Sequence, residues 1–377
     1  MKIVIAGDTL PKKINMHEYE EGNAELIFGK ELMERFASAD YSIVNLEGSF
    51  TDGEEPIEKS GGHLKGSKKA FAAVKALGVK CASLANNHIC DYGDRGVLDT
   101  IEQLESSGMD WVGAGKDRES MRRSLIKEID GCRVGIYSCA ATEFNIAESG
   151  KAGVNTVDLL DTPDEIAALK EKCDLLICIY HGGRELYRYP TPLQQRFCRK
   201  LAEKGADVVL CQHSHCIGCM EEYKGATILY GQGNFSFHGQ NDELRHSGLL
   251  LTITKEGEEL KLEPEVVVNA DGHVNLAGKE EADAILSAFR ARNEEIRREG
   301  FVQERFTKLA EELYPQGMQV LSGRFGKKLW HEQDGWLQRK FYRHIDRRHI
   351  LNMIRNEENR EFLVKGLEED IRKNKDQ

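Results

Sequence analysis

Short apolar runs recur along the first 240 residues, and each closes on small or polar residues. Lys2–Ala6 reads as a strand ending in Gly7-Asp8, and Tyr41–Val44 as one ending in Asn45-Leu46-Glu47. Lys80–Leu84 runs into Ala85-Asn86-Asn87-His88, and Asp174–Tyr180 into His181-Gly182-Gly183. Asp207–Gln212 ends in His213-Ser214-His215, and Thr227–Tyr230 in Gly231-Gln232-Gly233-Asn234-Phe235. Amphipathic helical stretches separate these runs, and the alternation predicts an α/β architecture. Thr162-Pro163-Asp164-Glu165 reads as a capping box with Pro at the first helical position. Thr191-Pro192-Leu193-Gln194 repeats that design, with Gly205 placed to end the helix. Asp94 is expected to cap a helix over Arg95–Ser107, with Gly108 as its stop.

Leu249–Asn275 reads as two or three further strands, with turns at Glu256-Gly257 and Asp271-Gly272, that complete the sheet. From Glu280 the pattern becomes charged and helical, with breaks expected at Pro315-Gln316-Gly317 and around Gly323–Gly326. The expected division is a main domain over 1–278 and a helical C-terminal extension over 279–377. Within the extension, Arg324–Ile350 mixes Lys and Arg with Trp330, Trp336, Phe341 and Tyr342. Such a stretch reads first as an amphipathic helix packing its aromatics, and second as a surface for an anionic partner or a membrane face; the extension is also a candidate docking site for a protein partner.

Composition narrows the function classes. A formal charge of −11 over 377 residues argues against general nucleic-acid binding, which favours a basic footprint. No stretch approaches the roughly 20 apolar residues of a spanning helix. Met1-Lys2 leads directly into the first apolar run, without the pattern of a signal peptide, so a cytoplasmic protein is expected. All ten cysteines fall between Cys81 and Cys219, several inside predicted strands, which suits buried thiols. Cys211–Cys219 lacks the distant second pair of a zinc ribbon.

The candidate chemistry lies at the strand ends. In open α/β sheets, ligands bind outside the carboxyl ends of the strands. Asp8, Glu47, Asn87, His88, His181, His213 and His215 all fall there. Each alone has an ordinary structural reading: a turn, a cap or a buried imidazole. Together they form a set of hard-to-borderline metal ligands without thiolate, which suits Mn, Fe, Zn or Co. There are more donors than one tetrahedral ion uses, so one or two divalent ions are expected, with Mn, Fe or Zn foremost. His213 and His215, two apart in extended backbone, are expected to point their rings to one side. Asp91 is placed to orient His88 through its ring N–H.

These segments, in this order, resemble the CapA family of poly-γ-glutamate capsule synthesis, within the calcineurin-like metallophosphoesterase superfamily. The resemblance rests on Gly7-Asp8, Asn45-Leu46-Glu47, Ala85-Asn86-Asn87-His88 with Asp91 and Gly93, Gly113-Ala114-Gly115, His181-Gly-Gly with Glu185, Gly205-Ala206-Asp207, His213-Ser-His215, and Tyr230 with Gly233-Asn234-Phe235. It covers residues 1 to about 250. It implies a four-layer α-β-β-α metallophosphatase-like sandwich with the metal site at one sheet edge. It also implies that Asp8 and His215 bind one ion, that Asn87, His181 and His213 bind a second, that Glu47 bridges them, and that His88 is the general acid. The chain departs from the superfamily at Leu10, where a further His is often found. The function implied is a metal-dependent hydrolase acting on an anionic small-molecule or polymer-derived substrate, by phosphoester or γ-glutamyl amide cleavage. The alternative is a non-catalytic accessory subunit of a polymer-synthesis machine that uses the fold as a scaffold.

Overall fold

The computed structural model describes residues 1–143, 151–237, 243–321 and 344–356, with scattered helical positions between 359 and 371. The chain divides into two compact units, Met1–Gln303 and Glu304–Gln377. The expected boundary at 278/279 and this division differ by the helix Lys279–Ile296, the turn after it and the first three residues of the helix Phe301–Leu321. That helix packs on the first unit. Phe289 joins the core between the sheets, Ile296 joins the outer core of the second sheet, and Asn293 Oδ1 accepts from the Met220 N–H at 2.7 Å.

Two sheets make the first unit. One runs, in spatial order, His273–Leu276, Glu259–Ala270, Ser247–Glu256, Lys2–Thr9, Tyr41–Leu46, Cys81–Ser83 and Asp110–Val112, with Asn234–Ser236 also paired to Lys2–Thr9. The other runs Met220–Tyr223, Ala226–Leu229, Val208–Gln212, Leu175–His181, Cys132–Ala140 and Leu125–Ile129. In the first sheet the strands from Lys2–Thr9 to the edge strand Asp110–Val112 pair in parallel and those from Ser247–Glu256 outward are antiparallel; in the second the central strands are parallel and both edge strands antiparallel.

Strand alternation explains the layering, because successive side chains point to opposite faces. Ile3, Ile5 and Ile43 of the first sheet meet Ile177, Ile179 and Leu210 of the second in one core between the sheets. Val4, Ala6 and Val44 instead face the helices Ala24–Ala37, Phe71–Ala76 and Gly93–Ser107. Leu176, Cys178 and Val209 face Asp161–Lys170 and Pro192–Glu203. The result is the expected four-layer α-β-β-α sandwich. Strands buried on both faces read as continuous apolar runs, which is why Leu175–His181 stands out so clearly in the sequence. All ten cysteines are free thiols and nine are buried.

Several local expectations need correction. Asp94 lies in the first turn of Gly93–Ser107 and caps nothing with its side chain; Gly108 does end the helix in the left-handed region. The Thr162 helix begins earlier, at Asp161, without a side-chain cap at its N-terminal residue. There Asp158 Oδ1 accepts from the N–H groups of Leu160 and Asp161, while Thr162 Oγ1 accepts from the Asp158 N–H. Thr191 does cap Pro192–Glu203, through the Gln194 N–H. The helix Phe301–Leu321, which starts three residues before the unit boundary, continues through Pro315 instead of breaking there. Proline loses its own hydrogen bond and crowds the carbonyl four residues back, a cost of about 3 kcal/mol that the turns on either side of it offset. The second expected break, and Arg324–Ile350 up to residue 343, lie outside the described residues; His344–Arg355 is a helix. Among the described residues no helix is long and apolar enough to cross a membrane.

Gly7 shows how tightly the site's strands approach. A Cβ there would lie 2.4 Å from the Gly233 carbonyl oxygen. Gly7→Ala is therefore expected to force apart the strands that carry Asp8 and Asn234 and to cost about 1–3 kcal/mol. The denaturant midpoint measures it; an unchanged midpoint would mean that these strands part freely.

Candidate metal centre

The carboxyl ends of the parallel strands of both sheets meet at one rim. The first sheet delivers Asp8, Glu47 and Asn87, and the second delivers His181, His213 and His215. All six are buried. Donor atoms of five of them form two adjoining groups, each within 4.8 Å: Glu47 with His181 and His213, and Asp8 with Glu47 and His215. Glu47 belongs to both. Its Oε1 lies 3.5 Å from His181 Nε2 and 3.7 Å from His215 Nε2. His181 Nε2 is also 3.1 Å from Asn87 Oδ1.

His213 and His215 do not sit in extended backbone as expected. Both have positive φ, 87° and 55°, a region that costs a non-glycine residue roughly 1–3 kcal/mol. The two turns send one imidazole to each group, rather than both rings to one side.

Whether these donors fit a cation is decided by Glu47. Both of its oxygens are buried and accept no hydrogen bond among the described residues. An ionised carboxylate left in that state is costly, and a coordinated divalent cation would compensate it. His213 Nδ1 is likewise buried without a hydrogen-bond partner. The donor set of carboxylates, imidazoles and one amide oxygen matches a hard-to-borderline metal.

The electrostatics differ between the two groups. Burial pushes the Asp8 carboxyl up, but the close approach of His215, 3.3 Å from its Oδ2, and the charge of His181 outweigh this and hold it well below the usual range. Burial opposes protonation of His215, yet Glu47 and Asp8 raise it to about 9. Burial drives Glu47 well above the ordinary carboxylate value, with Asp8 adding to it. Burial keeps His181 and His213 below the ordinary imidazole value, and so neutral, the form that binds a metal.

His88 and Asp91 pair as expected. Asp91 Oδ2 lies 2.8 Å from His88 Nδ1 and accepts from the Leu64 N–H at 2.7 Å. His88 Nε2 is left for other partners, and its side chain remains partly exposed while Asp91 is fully buried. The turn itself is pinned by Asn86, whose Oδ1 accepts from the N–H groups of His88 and Ile89.

Sequence reasoning missed several supporting groups. Asn45 donates to Asp8 Oδ1 at 2.8 Å and lies 3.3 Å from His181 Nδ1. Asn234 Oδ1 is 2.9 Å from His215 Nδ1. Both stand in strand-end segments already singled out, so their position was the available signal. Lys59 ion-pairs with Asp91, and its Nζ is 3.3 Å from His88 Nδ1. Glu143 Oε2 accepts from Asn87 Nδ2 at 3.1 Å, and its Oε1 lies 3.5 Å from His213 Nε2. By occupying the amide nitrogen, Glu143 turns Asn87 Oδ1 toward His181. By facing His213 Nε2, it leaves Nδ1 as the nitrogen available to a cation.

Fold and site together define an α/β sandwich with a buried carboxylate–imidazole centre, the type found in metallophosphoesterase-like proteins. The chain belongs to the family described as bacterial capsule synthesis protein PGA_cap, which matches residues 2–239. It is 30% identical over 181 residues to the capsule biosynthesis protein CapA of Bacillus anthracis, covering 46% of this chain and 44% of that protein. To the PGA biosynthesis protein CapA of Bacillus subtilis it is 29% identical over 197 residues, half of each chain. To a probable polyglutamine synthesis accessory protein of Mycobacterium tuberculosis it is 30% identical over 234 residues, 58% of this chain and 62% of that one. The chain thus spans about half the length of the first two of these relatives. A solved structure of a hypothetical protein from Thermus thermophilus aligns with 72% of this chain and all of its own, at TM-score 0.47 and 13% identity.

Removing a group that orients metal ligands typically costs 10–100-fold in metal affinity. Glu143→Ala is expected to weaken binding of a divalent metal by about that factor while leaving the fold intact. Chelator competition measures it, with circular dichroism as the control for folding.

Proposed function

We propose that this protein is a metal-dependent hydrolase that cleaves a phosphoester. The observation that supports it best is the pair of adjoining donor groups sharing Glu47, with a carboxylate-held imidazole alongside. In this reading Asp8 and His215 would hold one cation, Asn87, His181 and His213 would hold a second, and Glu47 would contribute to both. When bound, divalent metal supplies a water of lowered pKa and charge to offset a phosphoryl oxyanion. The remaining work falls to the chain. Asp91, itself fixed by Lys59 and the Leu64 N–H, fixes the His88 ring through Nδ1. His88 Nε2 then donates a proton to the leaving oxygen. Burial of the centre keeps bulk water from competing for these positions.

The names of the relatives set this chemistry beside capsule and poly-γ-glutamate synthesis, where a γ-glutamyl amide is the alternative bond. A second reading, a non-catalytic accessory subunit, is favoured by two observations. One relative is named an accessory protein. Leu10, fully buried, stands where the superfamily often has a ligand.

Metal content per chain separates these readings when measured with phosphomonoesterase and phosphodiesterase assays on the same samples. Asp8→Ala, Asn87→Ala, His181→Ala and His213→Ala are each expected to lose metal and turnover. His88→Ala is expected to keep metal and lose about 10²–10⁴-fold in rate. Turnover that persists after chelation would sink the hydrolase reading; metal without turnover on either ester would favour the accessory one.

A further inference from the structure

Lys12 sits at the rim of the metal centre with its charge uncommitted. Leu10 anchors the chain there through its N–H to the Ser236 carbonyl at 2.8 Å. Two residues on, the Lys12 N–H donates to Asn15 Oδ1 at 2.8 Å, and the Asn15 N–H returns to the Lys12 carbonyl at 3.0 Å. Asn15 is itself buried and tied to the Gly272 carbonyl at 2.7 Å. The backbone that carries Lys12 is therefore fixed.

The side chain is half-buried, and its Nζ lies 3.7 Å above the centroid of Phe237. Phe237 in turn stacks on His215, with ring centroids 4.7 Å apart and planes 12° apart. The ammonium thus rests on the ring that backs a donor of the centre. The charges of Glu47 and Asp91 favour the protonated form of Lys12, against burial. Lys59 ion-pairs with Asp91 and Lys65 donates to the Gly53 carbonyl, but among the described residues Lys12 Nζ has no hydrogen-bond acceptor and no carboxylate within 4.0 Å. An aromatic face is a partial partner for an ammonium and leaves its N–H donors to spare.

We propose that Lys12 is the anion-receiving residue of this centre, donating to a non-bridging oxygen of a substrate phosphoryl group. A half-buried lysine with spare donors gains most from a charged acceptor. Burial lowers its pKa to about 8, which leaves it protonated at neutral pH. The choice of substrate rests on the hydrolase reading; the binding itself does not.

The test is calorimetric titration of inorganic phosphate into the metal-loaded protein, wild type against Lys12→Met and Lys12→Arg. Metal content and melting temperature serve as controls, and Lys12→Gln replaces the Met variant should that fail to fold. Phosphate affinity is expected to fall about 10–100-fold in Lys12→Met, the factor typical of a hydrogen bond to a charged group, and to be largely kept in Lys12→Arg. In parallel ester assays KM is expected to rise with kcat little changed, the mark of an interaction made equally in ground and transition states. Equal phosphate affinity in wild type and Lys12→Met, or equal loss in the Met and Arg variants, would overturn the assignment. Ester turnover with Lys12-independent phosphate binding would leave the hydrolase reading standing and remove Lys12 from it. Lys12-dependent phosphate binding without turnover would do the reverse.

Discussion

A carboxylate buried without a hydrogen bond is the constraint around which this rim is arranged. Glu47 has no solvent exposure, and both of its oxygens lack partners among the described residues. Proteins retain such a group only where something compensates it. Here the surroundings supply a concave set of donors, with the imidazole of His215 nearby but not hydrogen-bonded to Glu47. His181 and His215 approach to 3.5 and 3.7 Å, too far for a hydrogen bond and suited to a shared cation. The strain at His213 and His215 follows from the same requirement. One imidazole must reach each side of Glu47, and a regular extended segment would not divide them.

The two sides of Glu47 are unlike. Asp8 and His215 attract each other, and each moves toward its charged form. His181 and His213 are neutral, and Glu143 and Asn87 fix which of their atoms face inward. The second side already presents lone pairs in the form that a metal takes. The first side holds an ion pair whose imidazolium must give up a proton before it can ligate. Leu10 deepens the asymmetry. It packs beside Gly48, where a Cβ would come within 3.1 Å of its side chain, and brings apolar volume to the side that already has fewer donors.

Much of this was legible in the sequence because a parallel strand buried on both faces reads as an apolar run, and its end is where the run stops. Asp8, Glu47, Asn87, His181, His213 and His215 were each found by that rule, and the structure brings their side chains to one rim. Glu143, Lys59 and Lys12 were not legible. They reach the rim from loops, which have no periodicity, and the side chains they meet there are 29 or more positions away in sequence. The helix starts failed for a different reason. Asp, Ser and Thr can cap from several neighbouring positions, so Asp158 serves where Thr162 was expected, and Asp94 sits one residue inside its helix. The ring directions of His213 and His215 turn on backbone angles that no residue type in that loop announces.

The division of donors between the sheets couples the site to the fold. The carboxylates and the amide come from one sheet and the imidazoles from the other, so the centre exists only while the apolar layer of Ile3, Ile5, Ile43, Ile177, Ile179 and Leu210 holds the sheets together. Neither sheet alone can complete either donor group. A cation bound there would therefore select the packed sandwich over any state in which the sheets have parted. At 100 times its dissociation constant, such a ligand adds about 2.7 kcal/mol to stability. That is comparable to burying one or two core side chains, and it acts at the rim that holds a buried carboxylate without hydrogen bonds and two strained histidines. The same arrangement that makes Glu47 unfavourable in isolation makes it an effective cross-link once compensated. Stability and ligand binding at this rim are thus two readings of one interaction.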